Sequence, residues 1–192
     1  MGIGHYIKEI GRGKDGARSL TREKAADLIG QVLDSQVSDL EIGVFCLAMR
    51  IKGETSEEMA GFLDAVHARL KALPQLGQQP TVVIPCYNGA RKLPALTPLL
   101  ALLLCQQGVR VCVHGTSTEN SRTTSFEVFD ALGYKTLTAV DQAQASLNLV
   151  PTEVMSPALK KLLDVRRVVN LRNPAHSLVK LMNPCQGRPY SK

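Results

Sequence analysis

The sequence contains no tryptophan and few other aromatic residues. Phe, Trp and Tyr make up 4% of its 192 residues, which argues against a protein that stacks bases on several aromatic side chains, as many single-strand binders do. The longest apolar run, Leu99 to Cys105, has seven residues, whereas a membrane-spanning helix needs about 20. The N-terminus carries no apolar secretory core. We therefore expect a cytoplasmic protein with no membrane partner.

Cysteines are few and do not follow a disulfide or metal-binding pattern. There are five, an odd number, with no Cys-x-x-Cys pair, so we expect free thiols in the absence of an export signal. Cys105, Cys112 and His114 match no recognised zinc-ligand spacing. Packing in apolar segments is the preferred interpretation of these cysteines, and no metal site is expected.

The sequence does contain enough apolar material for a packed core, together with an uneven charge. The hydrophobic fraction is 44%, with 15 Gly and 10 Pro, values near those of globular domains. Residues 1–75 hold 10 Lys and Arg against 11 Asp and Glu, whereas residues 76–192 hold 13 against 6. The excess that gives the net charge of +6 therefore lies in the C-terminal part.

Within residues 160–192 the imbalance is greatest. One acidic residue, Asp164, stands among eight basic residues, which are Lys160, Lys161, Arg166, Arg167, Arg172, Lys180, Arg188 and Lys192. Such a segment favours a polyanionic partner, whether a nucleic acid, a phosphorylated metabolite or an anionic membrane surface. A solvated basic face is the alternative, and charge alone does not separate the two.

The first third of the chain has the patterns of amphipathic helices. After a short helix over residues 3–10, Thr21 is placed to cap a second helix, and capping boxes at Ser38-Asp-Leu-Glu41 and Thr55-Ser-Glu-Glu58 predict two more. One apolar face of the helix after Ser38 consists of Leu40, Val44, Leu47, Ala48 and Ile51, and Phe45 and Met49 widen it. We expect this helix to be mostly buried and residues 1–74 to form a small all-helical domain.

Residues 81–192 alternate between strand and helix patterns, after a linker at residues 74–80. Strands are predicted at 81–84, 109–113, 134–137 and 147–150, and helices at 94–107, at 121–132 and from Ser156-Pro157 onward. This alternation is typical of an α/β domain with a parallel sheet, in which ligands bind beyond the C-terminal ends of the strands. We therefore expect residues 81–192 to belong to a second domain of the α/β class.

Several motifs carry a resemblance to a known family. The segment LEIGVFCLAMRIKGETSEEMAGFLDAV resembles the N-terminal helical domain of anthranilate phosphoribosyltransferase and its nucleoside phosphorylase relatives. The similarity continues through Val113-His-Gly115, Val165-Arg-Arg167, Arg172 and Met182-Asn-Pro184. It implies a phosphoribosyltransferase-type α/β domain after the helical domain. Because family members are considerably longer, it also implies that the C-terminal part of that domain is incomplete here.

The loop that binds the donor in these enzymes is degenerate in this sequence. The enzymes have GTGGD, whose glycines let backbone N–H groups surround the diphosphate of phosphoribosyl pyrophosphate. Here the same place holds Pro85-Cys-Tyr-Asn-Gly89, so Tyr87, Asn88 and Gly89 form the degenerate donor loop. In the enzymes the Asp-Glu pair that binds Mg²⁺ lies further along the chain than residue 192, and no Asp-Glu dipeptide occurs in this sequence. The resemblance thus leaves enzyme activity open and implies no catalytic residues, with Mg²⁺ required only for a transferase.

Two further motifs resemble the YbiB-type side branch of the family. They are Tyr87-Asn-Gly-Ala-Arg91 and Leu171-Arg-Asn-Pro-Ala-His-Ser-Leu-Val-Lys-Leu181. This resemblance implies binding of DNA or RNA without sequence preference, by a homodimer formed through the helical domain. The alternative is a glycosyltransferase or phosphoribosyltransferase with an altered donor loop.

The candidate nucleic-acid contacts are Arg91, Lys92, Arg122, Arg166, Arg167, Arg172 and Lys180. Alternatives remain for several of them, because Arg166 matches a scaffold arginine of the enzymes and Arg91 and Lys92 also fit a solvated loop. His114 and Gly115 match a substrate pocket that is degenerate here, and we expect His114 to be a hydrogen-bonded structural residue. Tyr87 fits either packing or stacking on a base, and His176 fits either a phosphate contact or a helix cap.

Overall fold

The computed structural model describes residues 2–13, 15–76, 78–90, 92–116 and 122–185. In chain order the helices are α1 (Gly4–Ile10), α2 (Arg22–Leu33), α3 (Asp39–Lys52), α4 (Ser56–Arg69), α5 (Thr97–Gln106), α6 (Ser125–Ala131), α7 (Thr152–Met155), α8 (Pro157–Val169) and α9 (Ala175–Leu178). The strands are β1 (Thr81–Cys86), β2 (Arg110–Gly115) and β3 (Leu147–Pro151). Across these described ranges, no helix is long and apolar enough to cross a membrane.

The chain folds into two compact units that do not follow its order. The first consists of Met1–Arg69 with Ala158–Met182, and the second of Leu70–Pro157 with Asn183–Lys192. Residues 158–182, which sequence order placed with the α/β domain, therefore pack with the N-terminal helices. Contacts of α8 and the segment after it hold them there: Lys161 lies 3.2 Å from Asp39, and the Asn173 side chain hydrogen bonds Cys46.

Helix starts follow the local signals in the sequence. The Ser38 hydroxyl accepts the backbone N–H of Glu41 at 3.3 Å, and the Glu41 carboxylate accepts the backbone N–H of Ser38 at 2.9 Å. The Thr21 hydroxyl likewise accepts the N–H of Lys24 at 3.4 Å. Each cap satisfies N–H groups that the first turn of a helix leaves without a partner. The predicted caps of α2 and α3 are confirmed.

The apolar stripe of α3 that we expected to be buried is largely exposed. Leu40, Val44, Leu47 and Ile51 are 77%, 40%, 49% and 57% exposed, and Ala48 is the buried member of the set. The core takes Phe45 and Met49 instead, and the Phe45 ring packs edge-on against Phe62 of α4 with centroids 6.2 Å apart. Because α3 is apolar on nearly every side, the spacing of its apolar residues did not define which face is buried. The face that carries Phe45 is buried, since an aromatic ring buries a large apolar area.

Glu58 is a fully buried carboxylate in the first unit. It accepts the backbone N–H groups of Leu20 at 2.8 Å and Thr55 at 2.9 Å, and it forms an ion pair with Lys52 at 2.6 Å. Burial by itself raises the pKa of Glu58, but the hydrogen bonds from Lys52 and the two backbone groups outweigh burial and hold the pKa below its ordinary value. One side chain thus connects α3, α4 and the segment before α2.

The described part of the second unit contains a parallel sheet with the strand order β1-β2-β3. The register pairs Val83 with Cys112 and Val113 with Leu149. On one face of the sheet the core consists of Val111, Val113, Leu149, Ala101 of α5 and Phe129 of α6. The central strand β2 is buried along its whole length. The helical unit and the parallel α/β sheet confirm the predicted fold class.

Local predictions in the second unit were wrong at three places. Residues 134–137 form no strand, although the Leu137 N–H donates to the Leu149 carbonyl at 2.8 Å. Helix α6 begins at Ser125, because a capping box between Thr124 and Glu127 that we overlooked fixes its first turn. Helix α5 begins at Thr97, three residues after the predicted start at residue 94, and Leu96 stands at its cap position.

Replacing Glu58 with Gln should destabilise the first unit by about 3–5 kcal/mol, because Lys52 would remain as a buried charge without a counter-charge. The exposed Glu57 precedes it on α4, so Glu57→Gln is a matched control that should change the unfolding free energy by less than about 0.5 kcal/mol. Denaturant unfolding at pH 7 measures both variants. Equal effects of the two substitutions would contradict the role assigned to Glu58.

Candidate functional site

The C-terminal end of the sheet is the first candidate site. The three strands are parallel, so Tyr87, Thr116 and Thr152, which directly follow β1, β2 and β3, lie at the same edge of the sheet. In open α/β sheets this edge is where ligands bind. Residues of the degenerate donor loop and of the matched substrate pocket therefore meet here.

Tyr87 fills the space between the strand ends. Its side chain is 8% exposed, and its hydroxyl lies 2.9 Å from His114 Nδ1 and 3.0 Å from Thr152 Oγ1. The Thr152 hydroxyl in turn donates to the Gly115 carbonyl at 3.1 Å. Since that bond uses the proton of Thr152, Tyr87 donates to Thr152 and accepts from Nδ1 of His114. Tyr87 is thus a packed, hydrogen-bonded residue and not an exposed stacking platform.

The strand end carries no charge at neutral pH in its buried part. Burial lowers the pKa of His114 to about 4, so its imidazole is neutral. Burial likewise raises the pKa of the Tyr87 hydroxyl, which stays protonated. His114 Nε2 and Thr116 Oγ1 are buried without a hydrogen-bond partner among the described residues. His114 is the structural, hydrogen-bonded histidine that we expected.

Gly89 and Gly115 are required by close packing of the chain on itself. A Cβ at Gly115 would lie 2.2 Å from the Cys86 carbonyl oxygen, and a Cβ at Gly89 would lie 2.5 Å from the Cβ of Arg122. The next residue, Ala90, donates its N–H to the Thr123 carbonyl at 2.8 Å. The remnant of the donor loop is therefore folded back onto residues 122–123, which places Gly89 against protein and not beside an open anion site.

The other candidate residues of the second unit are placed differently. Lys92 and Asn88 are exposed, and Arg122 is half-buried beside Gly89. Arg91 lies outside the described residues. Thr152 was missed by sequence reasoning, although its position directly after a predicted strand was the signal that could have found it.

Basic residues of the first unit form a second candidate site around His176. Burial lowers the pKa of His176 to about 4, and the positive charges of Arg166, Arg172 and Lys180 act in the same direction. These three residues come from the last turn of α8 and from both sides of α9, and their positive charges act on the same imidazole. We call His176 with these three residues the His176 cluster.

Other members of the predicted basic set are engaged elsewhere. Arg167 Nε lies 3.4 Å from Asp164 Oδ1, and Lys160 pairs with the same carboxylate. His176 Nδ1 lies 3.2 Å from Asn173 Oδ1, so its ring closes the turn before α9. Arg188 and Lys192 lie outside the described residues. Over the described ranges, no group of three or more His, Cys, Asp or Glu side chains is arranged to hold a metal ion.

Comparison with known proteins shows which family the chain resembles. Residues 5–69 match the helical bundle domain of the glycosyl transferase family. The chain is 43% identical over 184 residues to YbiB of Escherichia coli K12, across 93% of this chain and 58% of that protein. It is 28% identical over 189 residues to the anthranilate phosphoribosyltransferase of Dictyoglomus thermophilum, across 95% of this chain and 54% of that enzyme. Over nearly its whole length, the chain is similar to proteins of the anthranilate phosphoribosyltransferase type.

Solved structures support the same fold for this anthranilate phosphoribosyltransferase-like chain. The anthranilate phosphoribosyltransferase of Thermus thermophilus matches with a TM-score of 0.75 at 23% identity, over 93% of this chain and 55% of that chain. The Saccharomyces cerevisiae enzyme in complex with PRPP and Mg matches with a TM-score of 0.73 at 13% identity, over 95% and 55%. The chain spans little more than half the length of these relatives.

We expect His114 to make the unfolding free energy of the second unit depend on pH. Its folded-state pKa of about 4 lies below the ordinary value, so between roughly pH 6.5 and pH 4 the unfolded state binds a proton that the folded state does not. The unfolding free energy should therefore have its full value above about pH 6.5. It should decrease as the pH falls through this window, by at most about 3 kcal/mol.

The comparison of His114→Gln with the exposed-residue control His67→Gln isolates this effect. The first variant should show a flatter dependence of unfolding free energy on pH between roughly pH 4 and pH 6.5 than the control, because the control retains the buried imidazole. Denaturant titrations at several pH values supply the curves. Parallel curves for the two variants would contradict a buried neutral His114.

Proposed function

We propose that this protein binds nucleic acid through the phosphate backbone, using the His176 cluster of its helical unit, on a fold inherited from the anthranilate phosphoribosyltransferase-like family. The observation that supports the proposal is a group of basic residues at the surface of the first unit, Arg166, Arg172 and Lys180, whose positive charges all lower the pKa of His176. None of the relatives named above is described as a nucleic-acid-binding protein, so the proposal rests on the geometry and charge of this chain.

The chemistry of the cluster suits phosphate and not a base edge. Lys and Arg that neutralise phosphates release condensed counterions, which gives affinity without sequence readout. Arg172 and Lys180 are exposed and Arg166 is half-buried, so all three lie at the surface, where a phosphate can approach them. The cluster contains no aromatic side chain that would stack on a base. Affinity should therefore depend on salt and little on sequence.

The strand end of the second unit does not fit the donor that the fold family implies. A diphosphate nest requires several backbone N–H groups to face the ligand. Here Tyr87 occupies the space between the strand ends, Ala90 N–H is used by Thr123, and Gly89 faces Arg122. Among the residues that the structure describes at this edge, no set of backbone N–H groups is arranged around a diphosphate, and we derive no transfer step there.

The second candidate function is phosphoribosyl or glycosyl transfer with an altered donor loop. The comparisons favour it, because relatives at 28% identity and the fold neighbours are named anthranilate phosphoribosyltransferases, one of them in complex with PRPP and Mg. For this chain it requires that the donor bind without the glycine-rich loop. Mg²⁺ would be needed only in this case.

Replacing Arg166, Arg172 and Lys180 together with Glu should abolish binding to duplex and single-stranded oligonucleotides alike, because the cluster would change from attracting to repelling phosphate. A triple replacement of the exposed Arg18, Lys24 and Arg50 with Glu in the same unit makes the same change in net charge away from the cluster. It should retain most of the affinity. Fluorescence anisotropy at several salt concentrations, with circular dichroism to verify folding, measures both variants.

The outcome separates the two functions. Loss of binding in the first variant alone supports the His176 cluster, whereas equal losses would point to a general effect of net charge. Unchanged binding by the folded first variant would move the site to Lys92 and Arg122. A saturable, Mg²⁺-dependent thermal shift with phosphoribosyl pyrophosphate would overturn our assignment of the strand end and favour the transferase.

We also propose that the protein is a homodimer formed through the exposed stripe of α3. Leu40, Val44, Leu47 and Ile51 lie on the outside of a helix whose other side is in the core. Beside them is a groove of about 460 Å³ that Val44, Leu47 and Ile51 share with Ile7 and Ile10 of α1. A ridge and an apolar groove on one surface suit an isologous contact, in which each copy inserts its ridge into the partner's groove.

Leu47→Glu should convert the dimer into a monomer, because it places a charge in the centre of this contact. Leu93 of the second unit is 80% exposed, so Leu93→Glu is a matched control that should leave the dimer intact. Sedimentation velocity at tens of micromolar protein measures both variants. A wild-type monomer at this concentration, or dissociation by the control, would contradict the proposed interface.

A further inference from the structure

Two cysteines that are distant in the sequence meet on one face of the sheet in the second unit. Val111 and Val113 belong to the core on the helix-covered face, and side chains alternate along a strand. Arg110 and Cys112 therefore lie on the opposite face, where they are 2% and 1% exposed. This face of β2 receives Cys185.

Backbone contacts hold Cys185 in place. The Leu73 N–H donates to the Pro184 carbonyl at 2.9 Å, and Leu73 and Cys185 form a parallel bridge. Leu73 is itself buried. The thiols of Cys112 and Cys185 are hydrogen bonded to each other. The two sulfur atoms are therefore neighbours in a fixed part of the fold.

The electrostatic surroundings give the two thiols different roles. The hydrogen bond from Cys112 holds the pKa of Cys185 below its ordinary value, against the effect of burial and with the help of the positive charge of Arg110. The same hydrogen bond, together with burial, raises the pKa of Cys112. Cys185 is thus the thiol of the pair that ionises more readily, and Cys112 is the hydrogen-bond donor to it, an arrangement that favours a reactive thiol at Cys185.

Arg110 provides an independent indication of an anion at this place. Its Nη1 donates to the Pro74 carbonyl at 3.0 Å. Its Nε and Nη2 are buried and have no hydrogen-bond partner among the described residues. A buried guanidinium with unused donors is costly unless a negative group lies near it. Arg110 lies close enough to Cys185 for its positive charge to favour the thiolate form of that residue.

We propose that Cys112 and Cys185 form a redox-active thiol pair, in which Cys185 reacts with a small disulfide and Cys112 resolves the mixed disulfide. The position of Cys185 at the surface of the pair and of Cys112 in the interior sets this order. The proposal is independent of nucleic-acid binding and of transferase activity, because it concerns the second unit and none of the residues assigned to those functions.

The reaction balances with a low-molecular-weight disulfide such as oxidised glutathione as the oxidant. The Cys185 thiolate attacks one glutathione sulfur, a mixed disulfide forms, and one glutathione thiolate leaves. Cys112 then loses its proton and attacks the Cys185 sulfur, which expels the second glutathione thiolate. The two cysteines lose two electrons, the glutathione disulfide gains them, and each leaving thiolate takes up one proton.

The other cysteines serve as internal controls. Burial raises the pKa of Cys46 to about 12 and raises the pKa of Cys105. Cys86 is hydrogen bonded to the Ser125 hydroxyl at 2.8 Å, and no other cysteine is its partner among the described residues. These three thiols should react more slowly than Cys185.

The test equilibrates the folded chain with oxidised glutathione, quenches with acid and alkylates the remaining thiols after denaturation. Two of the five free thiols should no longer be alkylated. Peptide mapping should identify a disulfide between Cys112 and Cys185 of the same chain. The intact mass should fall by two hydrogen atoms. Retention of all five thiols, or a disulfide that joins other cysteines, would overturn the proposal.

Three variants test the order of the steps. Cys112→Ser removes the resolving thiol, so a stable glutathione adduct should accumulate on Cys185. Cys185→Ser should leave Cys112 unmodified, and the matched control Cys105→Ser should form the same disulfide as wild type. An adduct on Cys112 in the absence of Cys185 would contradict the assigned roles.

The pH dependence of alkylation gives a second measurement on the folded protein. The rate at which iodoacetamide alkylates wild-type Cys185 should reach half its maximum at a pH below about 8.5, the pKa of an ordinary cysteine. In Cys112→Ser a weaker or redirected hydrogen bond should raise this midpoint, while the midpoint for Cys105 stays unchanged. A Cys185 midpoint at or above the ordinary value in wild type would contradict the proposed thiolate.

Discussion

The Tyr87 hydroxyl, held between His114 and Thr152, is the contact on which the functional interpretation of the second unit depends. It ties the end of β1 to β2 and to the first residue after β3, so the carboxyl edge of the sheet is closed by the chain's own groups. The Tyr87 side chain fills space at this edge where a ligand would otherwise bind. Because its hydrogen-bond partners are internal, the site is stable without any substrate.

Closure of this edge explains how the family fold persists although the donor motif is degraded. Gly89 and Gly115 survive because a Cβ at either position would collide with neighbouring protein atoms, at Arg122 and at the Cys86 carbonyl. Their presence is therefore a packing requirement and carries no information about phosphate binding. The sheet and its helices rest on the apolar core around Val111 and Phe129, which does not involve the loop. Fold and activity can separate at such a site.

Local signals made much of the fold predictable, whereas contacts between distant segments did not. The capping boxes at Ser38 and Thr55 lie within four residues of sequence, so the starts of α3 and α4 could be located directly. The orientation of α3 could not, because both Leu47 and Phe45 are apolar and only tertiary packing decides between them. The contact between Cys112 and Cys185 could not be predicted for the same reason. The family resemblance rests on short motifs, so it did not predict that the Tyr87 hydroxyl bonds to His114 and Thr152 across the strand ends.

The same distinction changes how the basic segment is to be counted. Eight positive residues lie within residues 160–192, but Arg167 and Lys160 share Asp164, and Lys161 lies beside Asp39. Charges that are paired within the protein contribute less to counterion release than charges directed at a phosphate. The positive charges of Arg166, Arg172 and Lys180 all lower the pKa of His176, so these three cations lie near one another. Three phosphate contacts correspond to a salt slope of about 2 to 3 per chain, well below the slope that eight independent charges would give. The geometry of the cluster, and not the number of basic residues, therefore sets the expected strength of the electrostatic contribution.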